Sequence, residues 1–425
     1  MYSVILLLIA FVCPFIGGLV ALVALMGNRK HWKVNVFCVS FLLAIASYNY
    51  VPESSAPDLY RYFEYVYTLR GCSFWQTMRA AYVNSNLYTL QFLVWICNVF
   101  SDEHLLPCIT TFIVYWTALY CTCRIGVDLN SKWRHVRLCL LIQLALLDWY
   151  SITSNIRNMT AFSIGGYAFF RDVYLGKKDF VTVVCYIAPV FLHPTAALIP
   201  LVRIILLFAQ SKRLQVLSLS LIVFIEPLIE LANAYVSKLT SNPIILLLVR
   251  KADSYYFDTS SSYGLRVAQS LRSSVMRVIG LSIIAVFCFI AIRRRYKTNA
   301  RQIWERKADN FIDRTDKFSY LPLIFGVIAL SCSFMLRPEY WRFSAAMIIF
   351  SGAVLIPFFN DSRPLTVLSA DMLCKTLLIV LVPLDCMGIM WQLTWFNAPY
   401  LVYKTMMSSP LVYLLSLPLR VFGGS

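Results

Sequence analysis

Charged side chains are scarce in this sequence, and so are polar stretches long enough to form a soluble domain. Asp, Glu, Lys and Arg make up 14% of the 425 residues, whereas hydrophobic residues make up 59%. A soluble protein does not cover so much apolar surface with so little charge. A bilayer core is about 30 Å thick and is crossed by about 20 apolar helical residues. The composition therefore excludes a soluble globular protein and indicates a membrane protein.

Histidine is also rare, and the cysteines lack the spacing of metal or redox sites. The chain has 4 His and 13 Cys. No C-x-x-C pair occurs, and most cysteines lie in apolar runs, where a thiol behaves as a small hydrophobic group. We therefore predict no structural zinc, no metal site and no cofactor.

Apolar runs, by contrast, fill the chain from residue 4 to residue 396. Every backbone polar group must be paired within lipid, so the runs predict helices. The predicted fold is all-α, a polytopic integral membrane protein with about 11–14 transmembrane helices. We expect one transmembrane domain over 1–396, with outer loops 51–80 and 237–272 shaping its site, and an interfacial helix or tail over 397–425. The predicted spans are 4–26, 35–50, 82–100, 105–123, 137–153, 159–174, 180–193, 195–210, 214–236, 274–292, 319–336, 343–359 and 371–395.

The excess of basic residues sets an expected orientation. The formal charge is +17, and because Lys and Arg accumulate in cytoplasmic loops, we expect this charge to face the cytoplasm and no nucleic acid to bind. Placing the basic loops inside, above all 293–317, puts the N-terminus and the 51–80 loop outside. Strict alternation then leaves the basic loop 124–136 outside as well. We therefore expect a re-entrant or interfacial element between residues 35 and 123.

One group of polar residues lies in the first outer loop. Asp58, Arg61 and Tyr62 fall at helical spacing on a short amphipathic segment. Such a segment is typical of an interfacial helix with tyrosines at headgroup level. A carboxylate beside the outer mouth is also well placed to act as a general base.

Two further candidates lie between apolar spans. Arg157 is flanked by Asn155 and Asn158, so it either snorkels to the surface or lines a polar pocket. His193 is the one histidine near the predicted outer face between long apolar spans. It is either a core residue whose ring nitrogens are hydrogen-bonded or a functional group. An ionisable residue at membrane depth is by default a functional candidate.

Basic residues near two other outer segments are candidates for phosphate or sugar binding. Arg337 and Arg342 bracket Glu339 after a late span. They either form a surface ion pair or bind a phosphate, which a guanidinium matches in bidentate fashion. Arg266 lies among tyrosines and mixed charges in the 237–272 loop, a composition that suits either a carbohydrate surface or a solvated loop.

Four short motifs occur together in one order along the chain. They are Asp58-Leu59-Tyr60-Arg61-Tyr62, Ile156-Arg157-Asn158-Met159-Thr160-Ala161, His193-Pro194-Thr195-Ala196 and Arg342-Phe343. In this order they resemble the EpsG-like family of polysaccharide polymerases, which belongs with the Wzy-type (O-antigen) polymerases. The chain departs from the family pattern at Asn158, where the family has Gln, and at Pro194, which follows the histidine.

The resemblance implies a GT-C-like, multi-span glycosyltransferase of the bacterial inner membrane with its site facing the periplasm or exterior. Such an enzyme moves a growing chain from undecaprenyl diphosphate to a sugar hydroxyl of the next lipid-linked repeat. Its partners would be undecaprenyl-diphosphate-linked oligosaccharide, membrane lipid and a chain-length regulator.

On this reading the polar residues take three roles. Asp58 is the expected base, with His193 as the competing candidate. Diphosphate is expected to bind Arg157, Arg337 and Arg342, and substrate to contact Arg61, Tyr62, Asn155, Glu339 and Arg266. A divalent metal is not required, although Glu339 and Asp58 could hold one.

Three other functions remain open at this point. A flippase for the lipid-linked sugar needs a charged path through the membrane centre, and mid-span charges are few. A ligase that transfers finished polymer shares the leaving group and much of the chemistry. A membrane acyltransferase normally needs a histidine with a nearby acidic partner, which is not evident in the sequence.

Overall fold

The chain folds as a bundle of α-helices. The computed structural model describes residues 1–52, 58–84, 87–208, 271–297, 311–334, 340–360, 370–392 and 397–413. This part of the chain is 85% helical and contains no β-strand. The predicted all-α class is therefore confirmed for the described residues.

Twelve helices lie within the described residues before position 209. They are α1 (Tyr2–Val12), α2 (Pro14–Gly27), α3 (Trp32–Asn49), α4 (Asp58–Thr68), α5 (Phe74–Asn84), α6 (Tyr88–Val99), α7 (Leu105–Asp128), α8 (Trp133–Leu146), α9 (Trp149–Ser154), α10 (Ile156–Phe169), α11 (Phe180–Ile187) and α12 (Leu198–Phe208). A π-helical turn at Phe170–Tyr174 extends α10, and a 3₁₀ turn at Pro194–Ala197 leads into α12.

Seven helices follow residue 270 in the part of the chain that the structure describes. They are α13 (Leu271–Lys297), α14 (Phe311–Phe318), α15 (Tyr320–Phe334), α16 (Tyr340–Ile349), α17 (Gly352–Asn360), α18 (Ala370–Gln392) and α19 (Ala398–Met407).

Several helices are long and apolar enough to cross a membrane. Within the described ranges these are α3, α7 and residues Val275–Arg294 of α13, together with α16 and α17 if that pair, bent by 53°, counts as one span. Other apolar helices are shorter, such as Tyr2–Val12 and Tyr88–Val99. Three to four spans are compatible with a membrane protein, and the larger predicted number stays a prediction.

Ion pairs gather at one end of the bundle, which we call the basic end. There Arg124 Nε lies 2.8 Å from Asp128 Oδ2, and the Tyr174 hydroxyl donates to the same oxygen at 3.1 Å. The other pairs are Arg171–Asp179, Arg203–Asp172, Arg293–Asp371 and Arg294–Asp316. The hydrogen bond from Arg171 holds the pKa of the Asp179 carboxyl at about 2. Within the described residues, five arginines of this end are therefore neutralised by a nearby carboxylate.

The first predicted span, 4–26, is wrong, because the structure divides it into a helical hairpin. Cys13 is extended and Pro14 begins α2, since proline cannot continue the helix before it. The Tyr2 hydroxyl donates to Asn35 Oδ1 at 3.0 Å, and Ser3 Oγ lies 3.1 Å from His31 Nδ1. The start of α1 thus lies beside the start of α3, at the basic end, and not at the opposite end as predicted.

This hairpin predicts that Ser3 and Ser131 face the same side of the membrane. Ser131 lies at the basic end, where its hydroxyl accepts a hydrogen bond from Asn360 at 2.5 Å. An epitope tag placed beside either residue should be cleaved by protease in inverted vesicles and protected in right-side-out vesicles. Cleavage of the two tags from opposite sides would show that residues 4–26 cross as one span.

Helix α6 explains why strict alternation of the predicted spans left the basic loop 124–136 on the outer side. It has 12 residues, about 18 Å, and does not span a bilayer core. Thr89 in its first turn hydrogen-bonds to the carbonyls of Ala188 and Phe191, which follow α11. The neighbouring Pro189 packs at Gly165, about midway along α10 and its π-helical extension, so α6 begins near the middle of the bundle. Asp102, just beyond its last turn, accepts a hydrogen bond from Tyr48 near the end of α3, so α6 ends opposite the basic end and does not cross. This removes one crossing and places 129–132 beside 28–31, where Arg29 hydrogen-bonds to Asn130.

The break between α16 and α17 is stabilised by a buried amide. A break in an apolar helix frees carbonyl groups that lipid cannot satisfy. Gln143 of α8, fully buried, donates to the carbonyls of Ile348 and Ile349 at 3.1 Å each. Its own carbonyl accepts from Thr122 Oγ1 of α7 at 2.8 Å. The Gln143 side chain thus supplies hydrogen bonds to the carbonyl groups that the bend leaves free.

Helices α10 and α16 run side by side in the same direction. The ring centroids of Phe162 and Phe343 are 5.6 Å apart, and further along both helices Gly166 packs on the ring of Phe350. The two helices therefore begin at the same end of the bundle, opposite the basic end.

Gly166 permits this close approach, and its replacement should be costly. A Cβ at position 166 would overlap the Phe350 ring, so Gly166→Ala should destabilise the protein by about 1–3 kcal/mol. Thermal unfolding in detergent measures this. Gly27→Ala is a matched control because nothing lies within 4 Å of its Cβ position. Equal melting temperatures for the two variants would contradict the packing described here.

The C-terminal helix α19 lies against the end opposite the basic one. Cys13 Sγ contacts the Met406 carbonyl at 3.8 Å, and Asn49 Nδ2 donates to Ser408 Oγ at 2.9 Å. The Tyr413 hydroxyl donates to Asp102 Oδ2 at 2.8 Å. A helix therefore exists within the predicted 397–425 segment, and its interfacial position in a membrane stays a prediction.

Candidate functional site

Arg157 and Arg342 lie at the same end of the bundle, opposite the basic end. Arg157 lies in the first turn of α10, and Arg342 lies in the first turn of α16. Because Phe162 packs on Phe343, these parallel helices place both guanidinium groups at the same end, separated along the axis by about one turn. Residues far apart in the sequence thus lie in one region of the bundle.

Both guanidinium groups are incompletely paired. The Nε atoms of Arg157 and Arg342 are buried, and neither has a hydrogen-bond partner among the described residues. A helix N-terminus carries about half a positive charge, so a cation there is unfavourable by roughly 0.3–1 kcal/mol. Two cations at two positive helix ends favour the binding of an anion, for which helix N-termini are ready-made sites.

Further polar atoms around the start of α10 also lack hydrogen-bond partners within the described ranges. They are Ser154 Oγ, Asn158 Oδ1 and Thr160 Oγ1, on side chains that are 6%, 7% and 0% exposed. A buried polar group without a partner costs about 1–3 kcal/mol. The first two turns of α10 therefore carry donors and acceptors that a polar ligand could pair, and the predicted pocket around Arg157 stays a prediction.

Helix α4 packs over the Arg157 side chain. The predicted helical spacing of Asp58, Arg61 and Tyr62 is confirmed, since all three lie in α4. The Arg157 guanidinium carbon is 5.4 Å from the centroid of the buried Tyr62 ring. This cation–π contact holds the guanidinium in position without neutralising it.

Asp58 lies at the rim of the same region. It is one helical turn before Tyr62 and therefore on the same face of α4. Its Oδ1 is 3.6 Å from Arg61 Nη1, and the two side chains are 42% and 73% exposed. The Asp58 carboxylate is therefore accessible, Arg61 points largely to the exterior, and the role of Asp58 as base stays a prediction.

His193 lies close by but has a structural task. Leu192 and Ala196 on either side of it pack in the same apolar cluster as Tyr62 and Ile156. His193 Nδ1 accepts a hydrogen bond from the Thr195 N–H at 3.3 Å and so caps the 3₁₀ turn. An Nδ1 atom that accepts this bond places the proton of the neutral ring on Nε2. That arrangement favours a structural role over proton abstraction.

Asn155 is also engaged with backbone. Its Nδ2 donates to the Ser151 carbonyl at 3.1 Å, which positions the turn between α9 and α10. Its predicted contact with substrate stays a prediction.

Three predicted site residues lie outside the described residues. They are Arg266, Arg337 and Glu339. Within the described ranges, no group of three His, Cys, Asp or Glu side chains comes close enough to hold a metal ion.

The sequence analysis missed one cation of this end, Arg277. It lies in α13, whose last turns carry Arg293 and Arg294 at the basic end, so its first turns lie at the opposite end. The guanidinium carbon of Arg277 is 5.4 Å from the centroid of the Tyr340 ring, in the first turn of α16. The available signal was an arginine within the predicted apolar span 274–292, where a charge is a functional candidate.

Comparisons of the chain with protein-family models, with curated proteins and with solved structures found no match. Its function is therefore inferred from the chemistry of these residues and from the four motifs.

Proposed function

We propose that this protein is a glycosyltransferase that polymerises lipid-linked oligosaccharide repeats. The donor is a growing chain on undecaprenyl diphosphate, and the acceptor is a sugar hydroxyl of the next lipid-linked repeat. The observation that carries the proposal is the position of Arg157 and Arg342 at the N-termini of two parallel helices, with buried Nε atoms that have no hydrogen-bond partner among the described residues. The four motifs that resemble EpsG-like polymerases include both arginines.

The reaction exchanges one bond at the anomeric carbon of the donor. The acceptor hydroxyl oxygen forms a bond to that carbon, and the bond from the carbon to the diphosphate oxygen breaks. The hydroxyl proton passes to Asp58 and then to solvent. The bonding electrons leave with undecaprenyl diphosphate, and Arg157 and Arg342 stabilise the negative charge that develops on it.

The distribution of charge supports a site that faces away from the cytoplasm. Positive loops of membrane proteins face the cytoplasm, and the ion-paired basic residues lie at the end opposite Arg157. Among bacterial membranes the inner membrane fits a helical bundle of this kind. A multi-span GT-C-like architecture and a chain-length regulator as partner belong to the same proposal.

Incubation of the purified protein with lipid-linked repeat tests the proposal. The expected result is a ladder of products on a gel, with one undecaprenyl diphosphate released for each bond formed. Substrate-free protein and unrelated lipid-linked sugar are the controls.

Three other outcomes would contradict polymerisation. Movement of labelled repeat across vesicle membranes without lengthening would identify a flippase. Transfer of preformed polymer at constant length would identify a ligase, and the absence of both release and transfer would remove the glycosyltransferase assignment.

A further inference from the structure

Two segments of the basic end contact each other and carry exposed cations. One joins α2 to the first turn of α3, and the other joins α7 to the first turns of α8. Arg29 Nη1 donates to Asn130 Oδ1 at 3.3 Å, Arg137 Nη1 donates to the Met26 carbonyl at 3.0 Å, and Trp133 Nε1 donates to the Leu25 carbonyl at 2.8 Å. The exposed cations of the two segments, which we call the cationic surface, are Arg29, Lys30, Lys33, Lys132, Arg134 and Arg137.

The cationic surface is not neutralised by carboxylates. Residues 1–52 and 129–147 contain no Asp or Glu. Within the described ranges none of its six cations forms an ion pair, and the neighbouring Asp128 is paired with Arg124 at 2.8 Å. Like charges held close together repel one another, so an anion bound among them is stabilised. The surface thus differs from the five ion-paired arginines of the same end.

An exposed apolar face continues from the cationic surface towards the middle of the bundle. On α2, Val23 is 72% exposed and lies one turn before the helix ends. On α8, Leu138 and Leu141 follow Arg137 and are 41% and 49% exposed. Trp133 is half-buried at the boundary, and tryptophan is enriched where the headgroups of a membrane begin. A soluble anion would match the cations alone, whereas a phospholipid has a charged headgroup and acyl chains that match both parts.

We propose that the cationic surface binds the headgroup of an anionic phospholipid in the leaflet at the basic end, with the acyl chains lying along α2 and α8. This inference does not depend on the proposed function, because it uses no residue of the candidate site. Lys and Arg side chains at a membrane surface attract anionic lipids, and their effects accumulate with the number of cations. A zwitterionic headgroup brings a positive charge of its own, which six cations repel, so the surface should prefer a lipid with a net negative charge.

The test is native mass spectrometry of the full-length protein with phosphatidylglycerol or phosphatidylcholine of the same acyl chains, each added at rising concentration. The wild type should bind phosphatidylglycerol more tightly. Lys30→Gln/Lys132→Gln removes one cation from each segment. It should weaken phosphatidylglycerol binding roughly 25-fold, at about fivefold for each charge, and leave phosphatidylcholine binding unchanged.

Lys177→Gln/Lys178→Gln is the matched control. Both lysines are exposed at the same end, and the variant loses the same net charge. They precede Asp179, however, whose carboxylate is paired with Arg171 at 2.6 Å. Their loss should therefore leave phosphatidylglycerol binding within about threefold of the wild type. Melting temperatures of both double variants show whether a loss of binding reflects a loss of folding.

Three results would overturn the inference. The first is unchanged phosphatidylglycerol binding in a folded Lys30→Gln/Lys132→Gln variant. The second is equal weakening by the two double variants, which would show that the lipid responds to the total charge of this end and not to one surface. The third is displacement of the lipid by an equal concentration of soluble glycerol phosphate, which would assign the cations to a free phosphate. None of these measurements uses the product ladder, so a failure of the polymerase assay would leave the lipid surface intact.

Discussion

Replacing Arg157 by alanine should abolish polymerisation while the protein still inserts and folds. Arg157 is the cation that the structure positions most closely, at a helix N-terminus and over the Tyr62 ring. Loss of one fixed donor to developing charge typically lowers the rate roughly 100- to 1000-fold. The gel assay with lipid-linked repeat should therefore show no ladder within the time that the wild type needs to complete one.

The expected effect on stability is much smaller. Removing the side chain costs the cation–π contact, about 0.5–2 kcal/mol, and relieves an unfavourable charge at a helix N-terminus. Arg157→Lys keeps the charge but not the planar fork, so it should retain part of the activity. Arg70→Ala removes a paired cation from the same end and should polymerise normally. Full-length polysaccharide made by Arg157→Ala would defeat the assignment of this residue to the diphosphate.

The class of fold could be predicted because composition alone decides it. The apolar runs leave helices as the default, and the helical spacing from Asp58 to Tyr62 reports a local property of the backbone. Helix α4 therefore contains Asp58, Arg61 and Tyr62, as their spacing predicted. Such patterns depend on neighbours in the sequence, which is why they are visible without a structure.

The path of the chain between the two ends was harder to predict. An apolar run has the same composition whether it crosses a membrane or turns back within it. Pro14 was the local signal for the α1–α2 hairpin, and it divides the run that was predicted as one span. For α6 the sequence showed only that a crossing was missing, whereas the hydrogen bonds of Thr89 and Asp102 identify which segment does not cross.

The candidate site was predictable in its residues but not in its assembly. Arg157 and Arg342 stand out as arginines beside apolar runs, yet only the packing of Phe162 on Phe343 shows that they share an end of the bundle. Arg277 was missed because the candidate residues were chosen in and beside the outer loops, whereas Arg277 lies inside the predicted span 274–292. Its partner Tyr340 is more than sixty residues away in sequence, a distance that no local pattern bridges.

Asp58 and His193 should respond differently to substitution, and the comparison identifies the base. Asp58→Asn keeps the shape of the side chain and removes its ability to take a proton, so polymerisation should fall roughly 100- to 10,000-fold. The exposed position of Asp58 means that the melting temperature should change little. The rate of ladder formation and thermal unfolding, measured on the same preparations, give both quantities.

Substitution of His193 should lower the stability of the protein and leave its catalytic activity largely intact. His193→Ala removes the cap of the 3₁₀ turn, at a cost of about 0.5–2 kcal/mol by analogy with helix caps. His193→Asn is the matched variant, because an amide oxygen can accept the Thr195 N–H bond but cannot act as a base near neutral pH. It should melt closer to the wild type than His193→Ala and polymerise within a few-fold of the wild-type rate. A collapse of activity in a stable His193→Asn variant, with Asp58→Asn active, would transfer the role of base to His193, and activity in both would exclude both residues.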